Sequence, residues 1–209
     1  MRSDSCIGIL LAGGLARRMG GDKPLKKLAG VPLIAHAAAA LGPQCRSLIV
    51  SANGDPKRFS CLGFPVVADS LRGFLGPLAG ILTCLDWIGA RYPDVPLALS
   101  APADSPFLPK NLFAHLESAR QTGAAIACAS SGGRLHPAIA LWPVTLRGEL
   151  RRALADDNIR KVEIFVRNYG PAVVDWPVDP YDPFFNINAP KDLEKAEAIL
   201  PLHNRAIAE

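Results

Sequence analysis

The sequence is short of the features that mark a disulfide-built, membrane-spanning or nucleic-acid-binding chain. Its five cysteines, Cys6, Cys45, Cys61, Cys84 and Cys128, are odd in number, widely scattered and contain no CxxC pair. A disulfide framework and a zinc cage are therefore not signalled, and the cysteines read as small core hydrophobes. Nowhere do about 18 uninterrupted apolar residues occur to span a bilayer. The opening MRSDSC has no long apolar stretch with a small-residue cleavage site behind it, so a cytoplasmic protein with no membrane partner is expected. Aromatic residues make up 7% of the chain, and the net charge of +4 comes mostly from 15 arginines against 8 lysines, dispersed rather than in runs. A nucleic-acid surface concentrates its basic residues and interleaves aromatics, so small phosphorylated ligands fit better than nucleic acid.

What is present is ample apolar material: 49% of 209 residues, enough for the core of one large globular domain spanning 1–209. Apolar runs alternate with helical patterns. SCIGILLA (Ser5 to Ala12), RSLIVSAN (Arg46 to Asn53), FPVVAD (Phe64 to Asp69) and VPLALSAPAD (Val95 to Asp104) read as strands. VPLIAHAAAAL (Val31 to Leu41) and GPLAGILTCLDWIGA (Gly76 to Ala90) read as helices between them. This alternation predicts an α/β fold: a single-domain three-layer sandwich with a mostly parallel, Rossmann-like nucleotide-binding sheet. Further on, NLFAHLESARQTG (Asn111 to Gly123) is amphipathic, AAIACAS is strand-like and RLHPAIALWP (Arg134 to Pro143) pairs with or extends the sheet. VTLRGELRRALADDN reads as a helix and KVEIFVRNYG is ambiguous, while PFFNINAPKDLEKAEAIL reads as a strand tip feeding a final helix from near Ala189. His203 falls in a tail expected to be loosely held.

The stretch LAGGLARRMGGDK, Leu11 to Lys23, follows the first strand, where open α/β sheets bind ligands. It is not a Walker loop, because five residues separate Gly14 from Gly20 and Lys23 is followed by Pro24. It is not a dinucleotide fingerprint either, because Gly13 and Gly14 are adjacent. What remains is a longer turn with bare backbone at Ala12, Gly13 and Gly14, charge at Arg17 and Arg18, and Lys23 beyond a second glycine pair. Small residues let backbone N–H groups approach a base or phosphate, and the cations neutralise a triphosphate.

This block, with SAN ending at Asn53, DSLRGFLGPLAG (Asp69 to Gly80), PADSPFLP (Pro102 to Pro109), HPAIALW (His136 to Trp142) and FFNINAPKDL (Phe184 to Leu193), resembles the molybdenum cofactor guanylyltransferase family over nearly the whole chain. The first block alone suits the wider nucleotidyltransferase superfamily; GPLAG and NIN narrow it to this family. The resemblance implies transfer of GMP from GTP to the terminal phosphate of Mo-molybdopterin, with release of pyrophosphate. It implies GTP and Mo-molybdopterin as ligands, and handover among other molybdenum cofactor pathway proteins and recipient enzymes as further partners. It places the nucleotide in the N-terminal part of the chain, at Leu11, Ala12, Gly13, Gly14, Lys23, Asn53, Asp69 and Asp104, and the acceptor in the C-terminal part.

An attacking phosphate oxygen is already anionic, so this chemistry needs no serine triad or strong base. It needs cationic screening, in-line positioning and a metal on the developing charge of pyrophosphate. Arg18 and Lys23 are the candidate catalytic cations, and Asp104, after the strand LALSAPA, is the candidate catalytic carboxylate and ligand for Mg²⁺, which takes one or two protein carboxylates. Asn186 and Asn188 lie two apart; in an extended segment both amides face one side, toward the acceptor. Asn188 is equally placed to ligate the metal or to cap the final helix, with Pro190 in its first turn. Asn53 before Gly54 and Asp69 before Ser70 also fit turn and cap positions. His136 is more readily structural than chemical, and as a ligand it would face the acceptor. Two other readings stand beside the guanylyltransferase: a related nucleotidyltransferase using CTP or a sugar-phosphate acceptor, and a nucleotide-binding module without catalysis. Lys23 and Asp104 together argue against the second.

Overall fold

The computed structural model describes residues 3–13, 22–71 and 76–206. In chain order its elements are β1 (Ser3–Leu11), β2 (Lys27–Leu28), β3 (Val31–Pro32), α1 (Leu33–Leu41), β4 (Cys45–Ser51), β5 (Val66–Val67), α2 (Pro77–Arg91), β6 (Leu97–Pro102), α3 (Leu112–Arg120), β7 (Ala127–Ser131), β8 (Arg134–Pro143), α4 (Arg147–Ala155), α5 (Val162–Asn168), β9 (Ala172–Trp176) and α6 (Pro190–Ala206).

Among the described residues, seven strands form one sheet in the order β5-β4-β1-β6-β8-β7-β9. The pairs β5/β4, β4/β1, β1/β6 and β7/β9 are parallel, and β8 runs antiparallel to both β6 and β7. Alternation along β1 sends Cys6 and Leu10 to the face packed by α1 and α3, and Ile7 and Ile9 to the face packed by α2, α4 and α5. Both faces are covered, which is why these strands are continuously apolar rather than alternating. The expected three-layer α/β architecture is present.

Two features of the sheet govern where a ligand can enter and how β8 is bent. After β1 the chain crosses to β4 on one side, while β6 lies on the other, so the strand order reverses between β1 and β6. The second is a wide bulge. Cys128 pairs with Ala140 but Ala129 pairs with His136, so Pro137, Ala138 and Ile139 are extra on β8. A proline that cannot donate to a ladder is tolerated at such a bulge. Gly132 and Gly133, both with positive φ (54° and 74°), make the tight turn from β7 into β8.

Several expectations need correction. Val31 and Pro32 are not part of the helix read over Val31 to Leu41: they pair with Leu28 and Lys27 as a short hairpin, and α1 begins at Leu33, directly after Pro32. Residues 183–189 are not a strand, because no neighbouring strand pairs with them; they form a turned strap leading to α6. The ambiguous KVEIFVRNYG contains the helix α5. The C-terminal segment is not loose around His203, which is buried at 9% exposure, with Nδ1 3.0 Å from the Tyr181 hydroxyl and its ring against Phe107. α6 docks there on a third apolar cluster that includes Leu28, Leu33, Phe107 and Ile187. Cys61 is exposed rather than part of the core, whereas the other four cysteines are buried. No helix among the described residues is long and apolar enough to cross a membrane.

Candidate active site

The carboxyl ends of β1, β4 and β6 are held level by their register, with Leu11 opposite both Ser51 and Pro102. The ladder continues one step past the strands: Ala12 N–H donates to Ser51 O at 2.9 Å and Ala103 N–H donates to Leu11 O at 3.0 Å. Gly13 and Asp104, each two residues beyond its paired strand residue, both line the cleft at the point where the strand order reverses. A cavity of about 380 Å³ opens there, lined by Leu11, Gly13, Asn53, Asp69, Asp104 and Asn186 among others. Ala12, between Leu11 and Gly13, is buried in the core. Gly14 and Arg18 lie outside the described residues.

Lys23 is delivered by a short 3-10 turn over Lys23–Leu25 that follows Asp22 in a left-handed conformation, φ 42°. Its ammonium is paired with Asp104 Oδ2 and also donates to Asn188 Oδ1 at 2.7 Å. Asp104 Oδ1 is buried and has no hydrogen-bond partner among the described residues. A buried carboxylate oxygen with unfilled lone pairs is costly unless something electropositive reaches it. That is the observation that fits a hard cation such as Mg²⁺, which needs one or two carboxylates and completes its shell with phosphate oxygens and water. No group of three or more His, Cys, Asp or Glu residues assembles a protein-only metal cage among the described residues.

On the β4 side, Asn53 Nδ2 donates to Asp69 Oδ2 at 2.7 Å, and the Asp69 backbone N–H returns a bond to Asn53 Oδ1 at 2.9 Å. On the far side, Ser105 Oγ donates to Asn186 Oδ1, and Ile187 N–H donates to the Asp104 carbonyl at 3.1 Å. The strap is thus stitched to the loop that bears Asp104. Asn188 is not the cap of α6 through its side chain, which faces Lys23. The Asp192 carboxylate instead accepts from the backbone N–H of Asn188 and Ala189 at 2.9 and 2.8 Å. Those N–H bonds, that of Asn188 foremost, hold the Asp192 carboxyl below its ordinary value.

Of the sequence-predicted residues, the fold gathers Leu11, Ala12, Gly13, Lys23, Asn53, Asp69, Asp104, Asn186 and Asn188 around one cleft. Sequence reading did not single out Ser51, Gly76, Pro77, Gly80 or Ser105. Gly76 carries φ 76° at the start of α2, a conformation that favours glycine, and this helix end has no side-chain cap. Gly80 lets α2 approach β4: a Cβ there would lie 2.3 Å from Ser51 Oγ. The GPLAG block was the signal available for both. A second cavity, also about 380 Å³, adjoins the first through Pro102, Ala138 and Asn186, and is lined by Arg134, His136, Arg160 and Lys161.

Open α/β sheets take up nucleotides at such a switch point, and that is the class of protein the fold and cleft define. Within that class the chain belongs to the MobA-like NTP transferase family, whose model matches residues 8–169. It is 56% identical over 193 residues to a molybdenum cofactor guanylyltransferase of Rhodopseudomonas palustris strain BisB5, covering 91% of this chain and 92% of that protein. It is 51% identical over 200 residues to the protein of the same name from Bradyrhizobium sp. strain ORS 278, covering 95% and 94%. The solved structure of molybdopterin-guanine dinucleotide biosynthesis protein A from Archaeoglobus fulgidus superposes with a TM-score of 0.71 at 25% identity, over 94% of this chain and 98% of that one.

Proposed function

We propose that this chain is a molybdenum cofactor guanylyltransferase, moving GMP from GTP to the terminal phosphate of Mo-molybdopterin. A phosphate oxygen of the acceptor attacks the α-phosphorus of GTP, the bond from that phosphorus to the pyrophosphate oxygen breaks, and pyrophosphate leaves. The observation that carries this reading is the Lys23–Asp104–Asn188 cluster at the switch point, where nucleotide-side and acceptor-side residues meet.

Each residue has a part in that assignment. Leu11 and Gly13 line the nucleotide cleft, Ala12 packs between them with its N–H already bonded to Ser51, Gly13 and Gly14 leave bare backbone for the nucleotide, and the Asn53–Asp69 pair reads its polar edges. Lys23, together with Arg18, screens the repulsion between acceptor phosphate and triphosphate. Asp104 and the nucleotide phosphates would hold Mg²⁺, which when bound supplies neutralisation of the charge building on pyrophosphate. Asn186 and Asn188 face the acceptor, whose phosphate and pterin suit the basic second cavity. On this reading residues 1–209 act as one unit, nucleotide half first and acceptor half second. Cysteines that form no disulfide suit a cytoplasmic setting, where the product passes to other cofactor-pathway proteins and recipient enzymes.

The test is release of pyrophosphate from GTP, CTP, ATP or UTP in the presence of Mg²⁺ and Mo-molybdopterin, with the product identified by mass. Preferential turnover of GTP to the guanine dinucleotide supports the assignment. Equal or better turnover of CTP overturns the guanyl specificity, and no turnover with any nucleotide overturns the enzyme.

A further inference from the structure

The acceptor strap is anchored at its far end by a largely buried relay that the transfer chemistry does not itself use. Ser131, the last residue of β7, is 3% exposed, and His136 on β8 is 8% exposed. The Ser131 hydroxyl carries one proton and donates it to Asp182 Oδ1 at 2.8 Å. Its second contact, His136 Nε2 at 2.8 Å, is therefore one in which the imidazole donates and the hydroxyl accepts. The same Asp182 oxygen takes the Phe184 backbone N–H at 2.9 Å, and the Phe184 ring packs 5.0 Å from the His136 ring. Burial, ahead of the opposing effect of Asp182, pushes the His136 pKa below its usual 6.5. That agrees with a neutral ring whose one N–H is already committed to Ser131.

The geometry makes this relay more than core filling. It joins the Gly132–Gly133 turn, the bulged strand β8 and the start of the segment that carries Asn186 and Asn188. His136, Pro137, Ala138 and Asn186 all line the second cavity, so the relay ties together two chain segments of its lining. We propose that Ser131 and Asp182 are positioning residues for the acceptor: their hydrogen bonds hold the 184–188 strap and the His136 wall at the spacing the molybdopterin phosphate and pterin require. This rests on the guanylyltransferase reading. The Asn53–Asp69 pair and the β1–β6 register hold the nucleotide side without the relay, and the strap reaches that side only at Asn186, at the Asn188–Lys23 bond and at the Ile187–Asp104 bond, so loss of the relay falls first on the acceptor.

The experiment uses the full chain with Mg²⁺, varying GTP and Mo-molybdopterin in turn, on wild type, Ser131→Ala, Asp182→Ala and Asp182→Asn, with thermal midpoints for each. Asn at 182 retains an oxygen that can accept from both Ser131 and Phe184. Expected are rises of about tenfold or more in the KM for molybdopterin in both alanine variants, with the KM for GTP within about twofold of wild type. Asp182→Asn should lie within about threefold of wild type on both. Parallel rises in both KM values, no change in either, or an asparagine variant as impaired as the alanine one would overturn the proposal. So would alanine variants too unstable to assay, which would assign the relay to the fold alone. A wild type that does not turn over overturns both readings, whereas a normal wild type with unaltered variants overturns this one only.

Discussion

Asn53 and Asp69, sixteen residues apart, exchange two hydrogen bonds, of 2.7 and 2.9 Å, across the ends of β4 and β5. Each side chain fixes the other, so their remaining polar valences reach the cavity already oriented. Preorganised polar groups lose little freedom when a ligand arrives, and leaving one unpaired is costly.

Asn53→Ala should therefore raise the KM for GTP by about tenfold or more, as expected for a lost bond to a charged partner. The molybdopterin KM should stay close to wild type. Initial-rate kinetics with each substrate varied would check this, and a rise confined to molybdopterin would contradict the assignment.

Lys23 and Asp104 separate charge screening from metal retention. Lys23→Ala should lower kcat by about 100-fold or more, on the scale of removing one preorganised electrostatic contact. Asp104→Asn should weaken Mg²⁺ dependence and depress turnover; Asp104→Ala should abolish GMP transfer. Because the pair is mostly buried, with side-chain exposures of 15% and 19%, removing one partner should also lower the thermal midpoint, so activities are compared at a temperature where each variant is folded. Titrating activity with Mg²⁺ distinguishes the two roles, and full turnover by Asp104→Ala would refute the second.

Gly80 and Ser51 should show strong non-additivity. Gly80→Ala alone puts a Cβ 2.3 Å from Ser51 Oγ and should destabilise by about 1–3 kcal/mol through overpacking. With Ser51→Ala the nearest Ser51 atom is its Cβ, at an ordinary 3.5 Å. In that background Gly80→Ala should be neutral or stabilising by about 0.5–1 kcal/mol, the usual gain of alanine over glycine in a helix. A double-mutant cycle by denaturant unfolding measures the coupling, and additive effects would disprove the clash.

His203 links α6 to pH. Burial, followed by nearby His36 and Lys110, lowers its pKa in the folded chain from 6.5. The unfolded chain then binds more protons between the folded value and 6.5, so stability rises with pH across that window and levels off above it. The wild-type thermal midpoint should fall as pH drops below about 6.5, and His203→Gln should flatten part of that slope, His136 retaining a share of the same sign. A midpoint independent of pH from neutral to acid conditions would sink this account.

Much of the architecture is legible in the chain because strand and helix periods are local properties. The runs around Ile7, Ile49 and Leu99 are continuously apolar, as strands buried on both faces must be. Lys23, Asn53, Asp69 and Asp104 are legible as a set because each follows a strand end or glycine turn, and parallel strands bring such positions to one edge. The strap at 183–189 is not, because alternation of Asn186 and Asn188 mimics a strand where no neighbour is available to pair. Nor is the burial of His203, because a polar residue near the chain end carries no local mark of the Phe107–Tyr181 pocket that encloses it.

By itself, then, the sequence determined where backbone must be bare, which segments must be apolar and which charges follow the strands, since these depend on neighbours within a few residues. Only the tertiary structure decided that Lys23 reaches Asp104 and Asn188, that Ser131 bridges His136 and Asp182, and that Gly80 yields space to Ser51. Those contacts join residues far apart in the chain. Strand order, helix docking and the bulge in β8 set them, and no local pattern of residues encodes a distance between segments.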